Sequence, residues 1–404
     1  MIQSFINTSK KSYFLNFFIY FIPIAIVIGQ SVLNIISAII SILIIFLIYK
    51  KKEYHKYKFY FYFFYFLITF LIINLYFSTT IYLSFISILS ITRYFFFFLA
   101  VLYCLNTMDG FYFNFTKVLL TIVTFVVFDS YIQYFFYYDL IGNPILHDRL
   151  TGPFGSEKVV GAYISKLIFI SLGFLLIKKI HINYISLITL VSFIVVVLSN
   201  ERSSSIMFLA ALLIFFSFSS LRGYLKIFLF SVVVFFLFFN LNYSKTFKDR
   251  FVNEPTKYYK DNHHKAHFLT ALEIYKNNKV TGSGIKSFRV ECKKKKYEII
   301  KSKYIDNRCA THPHNIYLEI LSETGIFGIL IFLTINLYIG MYLALNFFKK
   351  KKFRNEILFI FCNFFILFWP LQTTGSFFSS WNGVFYWIFF AFFFNLKEKL
   401  TKPI

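Results

Sequence analysis

Apolar runs of about twenty residues, parted by short polar joints, follow one another along most of the chain. A bilayer core about 30 Å thick takes about 20 apolar residues as a helix. On that measure, runs near 13–29, 31–49, 58–77, 81–106, 117–138, 159–177, 181–199, 203–221, 224–241, 316–347, 355–374 and 378–396 each predict a span. These make about twelve transmembrane helices in all. Lys and Arg gather at alternate joints: Lys10-Lys11, Lys50 to Lys58, the stretch with Lys117, Lys178-Lys179, Arg222 with Lys226, Lys349 to Arg354 and Lys397 to Lys402. Short basic connections face the cytoplasm, which places both termini there. The run after Lys11 resembles the apolar part of a secretory leader, but it lacks a small-residue cleavage site and flows into a second span, so it reads as a retained helix. The expected fold class is an all-α integral membrane protein. It forms one polytopic membrane domain over 1–404, with one large outward loop, 242–315, inserted between helices.

Composition agrees with this pattern. The chain is 58% hydrophobic and 15% charged, with a mean hydropathy of +0.65. A soluble domain uses about 25% charged residues and has no way to hide so much apolar surface. The 61 Phe and 30 Tyr read as compositional bias together with abundant Ile, Asn and Lys, rather than as a stacking surface for sugars or bases. The net charge of +24 reads as orienting Lys and Arg beside apolar runs, so nucleic acid is not an expected partner. Within 242–315, 17 Lys and Arg stand against 7 Asp and Glu. On an outward loop that excess fits either an anionic ligand or a solvated basic surface.

Cys104 and Cys362 fall within apolar spans, where a thiol behaves as a small hydrophobe. Cys292 and Cys309 fall in the loop, and an oxidising compartment permits a disulfide between them.

On this topology three polar clusters share the outer side: Arg149 to Gly161, Glu201-Arg202-Ser203, and the loop end Thr311-His312-Pro313-His314-Asn315. The last opens a helix. A helix N-terminus offers free N–H groups to an anion, and an imidazole accepts a proton near neutral pH. Arg202 sits between two apolar runs at membrane depth, where an ionisable side chain is a functional hypothesis by default. Arg93 interrupts the run 81–106, either as a mid-span residue facing a cavity or at a break. His263, His264 and His267 add helically spaced imidazoles, so five of the chain's eight histidines lie in the loop. Zinc is considered and set aside, because no Glu-bearing zinc helix accompanies them; the expectation is no metal.

These stretches resemble the superfamily of O-antigen ligases and O-antigen polymerases, lipopolysaccharide glycosyltransferases of the bacterial inner membrane. The likeness rests on Thr311 to Asn315 with Glu323-Thr324-Gly325, on Thr281-Gly282-Ser283-Gly284 leading to Phe288-Arg289 and Cys292, on Arg149 to Gly155 with Glu157 and Gly161, and on Glu201-Arg202-Ser203. It covers roughly residues 145–330, and the N-terminal spans agree only in hydropathy. The resemblance implies a C-type glycosyltransferase fold and a metal-independent enzyme without cofactor. It further implies an undecaprenyl-diphosphate-linked glycan as donor, lipid A-core as acceptor, surrounding membrane lipids as further partners, and an active site facing the periplasm.

Carried over by position, His314 is the essential imidazole, with His312 beside it, and Arg202 binds donor diphosphate. Arg149, Arg93 and Asn315 are further substrate-binding candidates. A second family arginine normally precedes the helix leading into the Gly-x-Gly turn, and here that stretch reads Asp261-Asn262-His263-His264-Lys265. Either His264 or Lys265 takes its place, or Arg250 or Arg289 reaches the site. The expected reaction is ligation of a polymerised glycan to lipid A-core. The alternatives are a polymerase joining lipid-linked repeat units, although no Arg-x10-Gly pattern is present, and, more remotely, a transporter of lipid-linked sugar.

Overall fold

The computed structural model describes residues 2–257, 262–300 and 302–401, with side chains from residue 14. Among the described residues the regular structure is helical, with only two isolated β-bridges, Tyr138 to Pro144 and Leu146 to Arg149. The N-terminal half comprises α1 (Ile2–Ile28), α2 (Gln30–Lys51), α3 (Lys58–Tyr76), α4 (Ile81–Thr107), α5 (Phe111–Phe136), α6 (Val160–Ser171), α7 (Gly173–Ile177) and α8 (Ile182–Leu198). Next come α9 (Arg202–Phe218), α10 (Gly223–Tyr243), the short α11 (Lys245–Lys248) and α12 (Glu254–Lys257), α13 (His263–Asn277), α14 (Phe288–Glu291), α15 (Ile316–Lys349), α16 (Arg354–Phe368) and α17 (Ser380–Thr401).

Each of the twelve apolar runs is helical over most of its length, the run 159–177 as the two helices α6 and α7. Among the described residues seven helices are long and apolar enough to cross a membrane, and Phe14–Ile28, Ile182–Leu198 and Arg202–Phe218 are shorter apolar ones. The chain is an all-α membrane protein. One continuous core threads the bundle, built largely of Phe, Ile and Leu from α1 to α10 and α15 to α17. In lipid every backbone polar group must be satisfied internally, which is why long uninterrupted helices dominate.

Two departures from the apolar pattern shape the rest. The run 355–374 is helical only to Phe368, because the residue before a proline avoids the α conformation and Pro370 follows Trp369. Residues 369–379 form an irregular strap instead. Within α15, Gly325 takes φ 69°, ψ −165° and breaks the helix. The freed backbone there pairs with the Gly282 turn: the Ser283 N–H donates to the Ser322 carbonyl (3.0 Å), the Gly284 N–H to the Glu323 carbonyl (2.9 Å), and the Ile326 N–H to the Lys279 carbonyl (2.9 Å). Asn74 of α3 donates to the carbonyls of both Thr281 and Glu323. The buried Glu323 carboxylate accepts from the Lys286 and Phe288 N–H groups, in effect capping α14. This junction fastens the segment after α10 onto the membrane helices. The segment has its own small core of Ala271, Ile274, Phe288, Cys292 and Tyr297.

Arg93 lies mid-helix in an unbroken α4. Its Nη2 donates to Asn34 Oδ1 of α2 (3.0 Å), Ser90 Oγ (3.0 Å) and Ser380 Oγ of α17 (3.2 Å). It thereby ties three helices together.

The junction predicts a graded response to added methyl groups. A Cβ on Gly282 would lie 2.3 Å from the Glu323 carbonyl carbon, whereas one on Gly142, also at positive φ, meets nothing within 4 Å. Gly142→Ala is expected to cost only the backbone strain of about 1–2 kcal/mol. Gly282→Ala is expected to cost well over about 2 kcal/mol, read as the larger fall in unfolding temperature of the detergent-solubilised protein.

Candidate active site

The connections opposite the basic joints converge. Asn200, between α8 and α9, donates through Nδ2 to the Asp148 carbonyl (2.8 Å), Ser203 Oγ donates to the Thr373 carbonyl of the strap (2.7 Å), and the adjacent Thr374 N–H donates to the His314 carbonyl (2.9 Å). The three polar clusters therefore meet at one place. Glu201 serves the scaffold: its carboxylate accepts from the N–H groups of Gly161 (2.7 Å) and Ala162 (3.1 Å) at the start of α6, where free N–H groups need an acceptor. Gly161 is required by that approach, since a Cβ there would come within 2.8 Å of Ser199 Oγ.

Four imidazoles lie together. The His314 ring centroid is 4.2 Å from His312, 5.2 Å from His264 and 5.3 Å from His267. His264 and His267 share one face of α13, whose N-terminus is capped by Asn262 Oδ1 accepting from the Lys265 N–H (2.8 Å). His263 points elsewhere, against the Tyr304 ring at 4.4 Å. His314 has φ 59°, a left-handed conformation uncommon for a residue with a side chain and often found at functional sites. It is over-determined by its surroundings: its carbonyl accepts from the Thr374 N–H (2.9 Å), and Asn315 follows as the cap of α15.

Asn315 Oδ1 accepts from the N–H groups of Tyr317 and Leu318 at 3.0 Å each, while its Nδ2 donates to the carbonyls of Pro370 (2.7 Å) and Gln372 (3.2 Å). Both ends of this amide are spent on the protein, so its place is in positioning the strap and the His314 turn. His312 is likewise held by Thr311 Oγ1 at 2.9 Å and the Thr374 carbonyl at 3.1 Å.

Burial drives these rings toward the neutral form. It pushes His312 and His264 down to about 4 and His314 to about 3, with neighbouring imidazoles and the Arg289 and Arg202 guanidinium groups adding to the effect. His267 is lowered for the same first reason.

Guanidinium groups lie near the rings, Arg202 acting on His264 and Arg289 on His312. Arg202 Nη1 lies 3.4 Å from Glu254, which also faces Arg250 Nη1 at 3.9 Å, and Arg250 Nε donates to the Asn200 carbonyl (3.2 Å). Arg149 donates to the Lys158 carbonyl (3.0 Å) and feels the charges of Glu201, Arg250 and Arg202. Arg289 shares its surroundings with Lys286, Glu319 and Glu323. The Nε–H groups of Arg149 and Arg289 are buried with no hydrogen-bond acceptor in the structure. Of the four substitutes for the second arginine, Arg250 stands beside Arg202, His264 stands in the ring cluster and Arg289 acts on it through His312. Lys265 takes part through its backbone N–H. Arg93 lies one layer deeper in the bundle, where its charge reaches Lys286.

Two parts of the site are not among the elements expected from the sequence: the strap and the buried carboxylate of Glu319. Glu319, one turn into α15, accepts from Ser376 Oγ and from the Phe377 N–H (2.7 Å). Trp369-Pro370 and Gly375 inside an apolar stretch were the signals for that strap. Lys166, buried on α6, donates to Asn382 Oδ1 (2.7 Å) and lies over the rings of Trp381 and Phe385; one Lys within a span gave no distinguishing pattern.

Cys292 and Cys309 are joined as a disulfide with Cα atoms 5.2 Å apart, tying α14 to the segment that delivers His312. Without reductant, alkylation of the native protein is expected to label neither of them, nor the buried thiols Cys104 and Cys362. Reduction should expose the bridged pair to labelling and lower stability by about 3 kcal/mol, visible as a lower unfolding temperature.

Residues 187–333 match the family model described as O-antigen ligase. The match runs from within α8 to within α15 and takes in Arg202, Arg250, all four clustered imidazoles and Arg289; Arg149 and the strap lie outside it. No curated protein matches the chain. The match is to about a third of the chain, and over that region it supports a function of the general O-antigen ligase or polymerase type.

Proposed function

We propose that the protein transfers a glycan from undecaprenyl diphosphate to a hydroxyl of lipid A-core, at the periplasmic face of the bacterial inner membrane. The observation that carries this reading is the set of guanidinium groups, Arg202 with Arg250 and Arg149, together with Arg289, near a cluster of neutral imidazoles. Buried Nε–H donors on Arg149 and Arg289 favour an anionic ligand, because an unsatisfied buried donor is costly. Arginine meets phosphate with two parallel hydrogen bonds. The basic joints on the opposite face support the orientation.

A lipid-linked donor fits the neighbouring surface. An apolar cavity of about 600 Å³ runs between α3, α4, α15 and α17, lined by Phe63, Leu67, Phe98, Ile335 and Trp387. Its wall includes Thr324, adjacent to the Gly325 break, so a prenyl chain lying there would bring its diphosphate toward the arginines.

The proposed step is a single displacement at the anomeric carbon. His314 takes the proton of the attacking hydroxyl, the new glycosidic C–O bond forms, and the anomeric C–O bond to diphosphate breaks with its electron pair leaving on the phosphate oxygen. The guanidinium groups neutralise the charge that develops there. His312, held by Thr311 and Thr374, keeps the adjacent ring in place. A ring as weakly basic as His314 in the free protein is a poor acceptor. Bound diphosphate favours the imidazolium and raises its pKa, so the donor itself readies the base.

His314→Ala and Arg202→Ala are expected to lower transfer by roughly 10²-fold or more while leaving membrane insertion intact. Wild-type activity in either would remove that residue's assignment. In the pH profile, kcat/KM reports the free protein and kcat the complex. The acid limb of kcat is therefore expected to fall off at a higher pH than that of kcat/KM; coincident limbs would exclude donor-assisted proton acceptance. In liposomes with undecaprenyl-diphosphate glycan, product on lipid A-core only when that acceptor is present establishes the ligase, whereas lengthening of the lipid-linked glycan without it establishes a polymerase.

A further inference from the structure

Three of the clustered rings form a set that proton transfer alone does not require. Nitrogens of His264, His267 and His314 all lie within 4.8 Å of one another. The ring centroids are 5.2 Å apart for His264 and His314, 5.3 Å for His267 and His314, and 6.0 Å for His264 and His267. Imidazoles sharing one tetrahedral ion at about 2.0–2.1 Å have centroids roughly 5 Å apart, so small ring rotations suffice to converge them. The Nδ1 atoms of His264 and His267 are buried and have no hydrogen-bond partner in the structure. A ligating imidazole typically gives its other N–H to a carbonyl or carboxylate, and the backbones of Asn307 and Thr374 act on the His267 and His314 rings in the direction that such an acceptor would.

We propose that His264, His267 and His314 form a binding site for one divalent transition-metal ion of the zinc type, with the fourth coordination position open toward the arginine-lined pocket. Three neutral nitrogen donors without a carboxylate select zinc, cobalt, nickel or copper over magnesium or calcium. Burial keeps all three rings unprotonated at neutral pH, as ligation demands. The surrounding guanidinium groups oppose a bare dication, so an anion in the open position strengthens binding. Occupancy has a functional consequence that rests on the proposed function: a metal takes the ring nitrogen of His314 that would otherwise accept the hydroxyl proton. The two states of the site are mutually exclusive, and the ion acts as an inhibitor of transfer.

The test uses tag-free, full-length protein in detergent, titrated with Co²⁺ in chloride buffer. One Co²⁺ per chain with the visible absorption bands of a four-coordinate ion is expected. The bands should be retained in His263→Ala, whose ring lies against Tyr304, and lost in both His264→Ala and His267→Ala. No bands and no bound cobalt in the wild type, or binding that survives in both variants, overturns the site. In a transfer assay, one equivalent of bound Zn²⁺ should slow the wild type roughly 10²-fold or more, with recovery on adding EDTA. Undiminished transfer by protein shown by its metal content to be loaded would overturn the inhibition, and with it His314 as the base, while the cobalt spectrum separately decides whether the metal site exists.

Discussion

The break in α15 at Gly325 is the constraint on which the rest of the arrangement depends. A helix interrupted within a membrane bundle leaves N–H and C=O groups that lipid cannot satisfy. Here the Gly282–Gly284 turn satisfies them, with Ser322, Glu323 and Ile326 as partners. Both partners must be glycines at positive φ, because a Cβ on Gly325 would come within 2.2 Å of the Val280 carbonyl oxygen and one on Gly282 would strike Glu323. The backbone pairing therefore sets the height of α14 relative to α15, and through the Cys292–Cys309 bridge it sets the path of the chain into His312 and His314.

Around that fixed point the electrostatics are lopsided. Arginines and neutral histidines crowd a half-buried space, while the buried acidic side chains nearby are committed to backbone or hydroxyl donors: Glu201 to α6, Glu323 to α14 and Glu319 to the strap. The carboxylates hold the scaffold, and the cations are left to face a ligand. Glu254 is shared between two of them, bridging Arg202 and Arg250 at 3.4 and 3.9 Å. Such a pocket disfavours protonated imidazoles, because burial and neighbouring cations both act against a further positive charge.

The strap at 369–379 closes the other side. Its carbonyls and N–H groups hold Ser203, His312, His314 and Asn315, so α9, the loop end and the start of α15 are registered to one another through eleven residues of irregular backbone. Its first three residues, Trp369 to Leu371, are exposed, while Gln372 and Ser376 are buried, so the strap is held by its hydrogen bonds to the neighbouring elements. The Asn315 amide is one such link, spanning the α15 cap and the strap.

The sequence by itself determined the helices, their order and their alternating faces, because a twenty-residue apolar run with basic flanks has one low-energy state in a bilayer. It also marked the polar clusters of Arg149, Arg202 and His314, since polar residues at membrane depth stand out against an apolar background. Only the tertiary structure decided which of these side chains face one another. Arg93, conspicuous in the run 81–106, binds three helices together below the pocket, while His267 on a surface-like amphipathic stretch comes within ring contact of His314, 47 positions along the chain. The strap was hidden inside what read as a continuous span, and the Gly325 break inside another. Hydropathy measures transfer of a segment into lipid, a property of each segment alone. Convergence of imidazoles and guanidinium groups depends on long-range backbone pairing and on helix rotation, which no local pattern encodes.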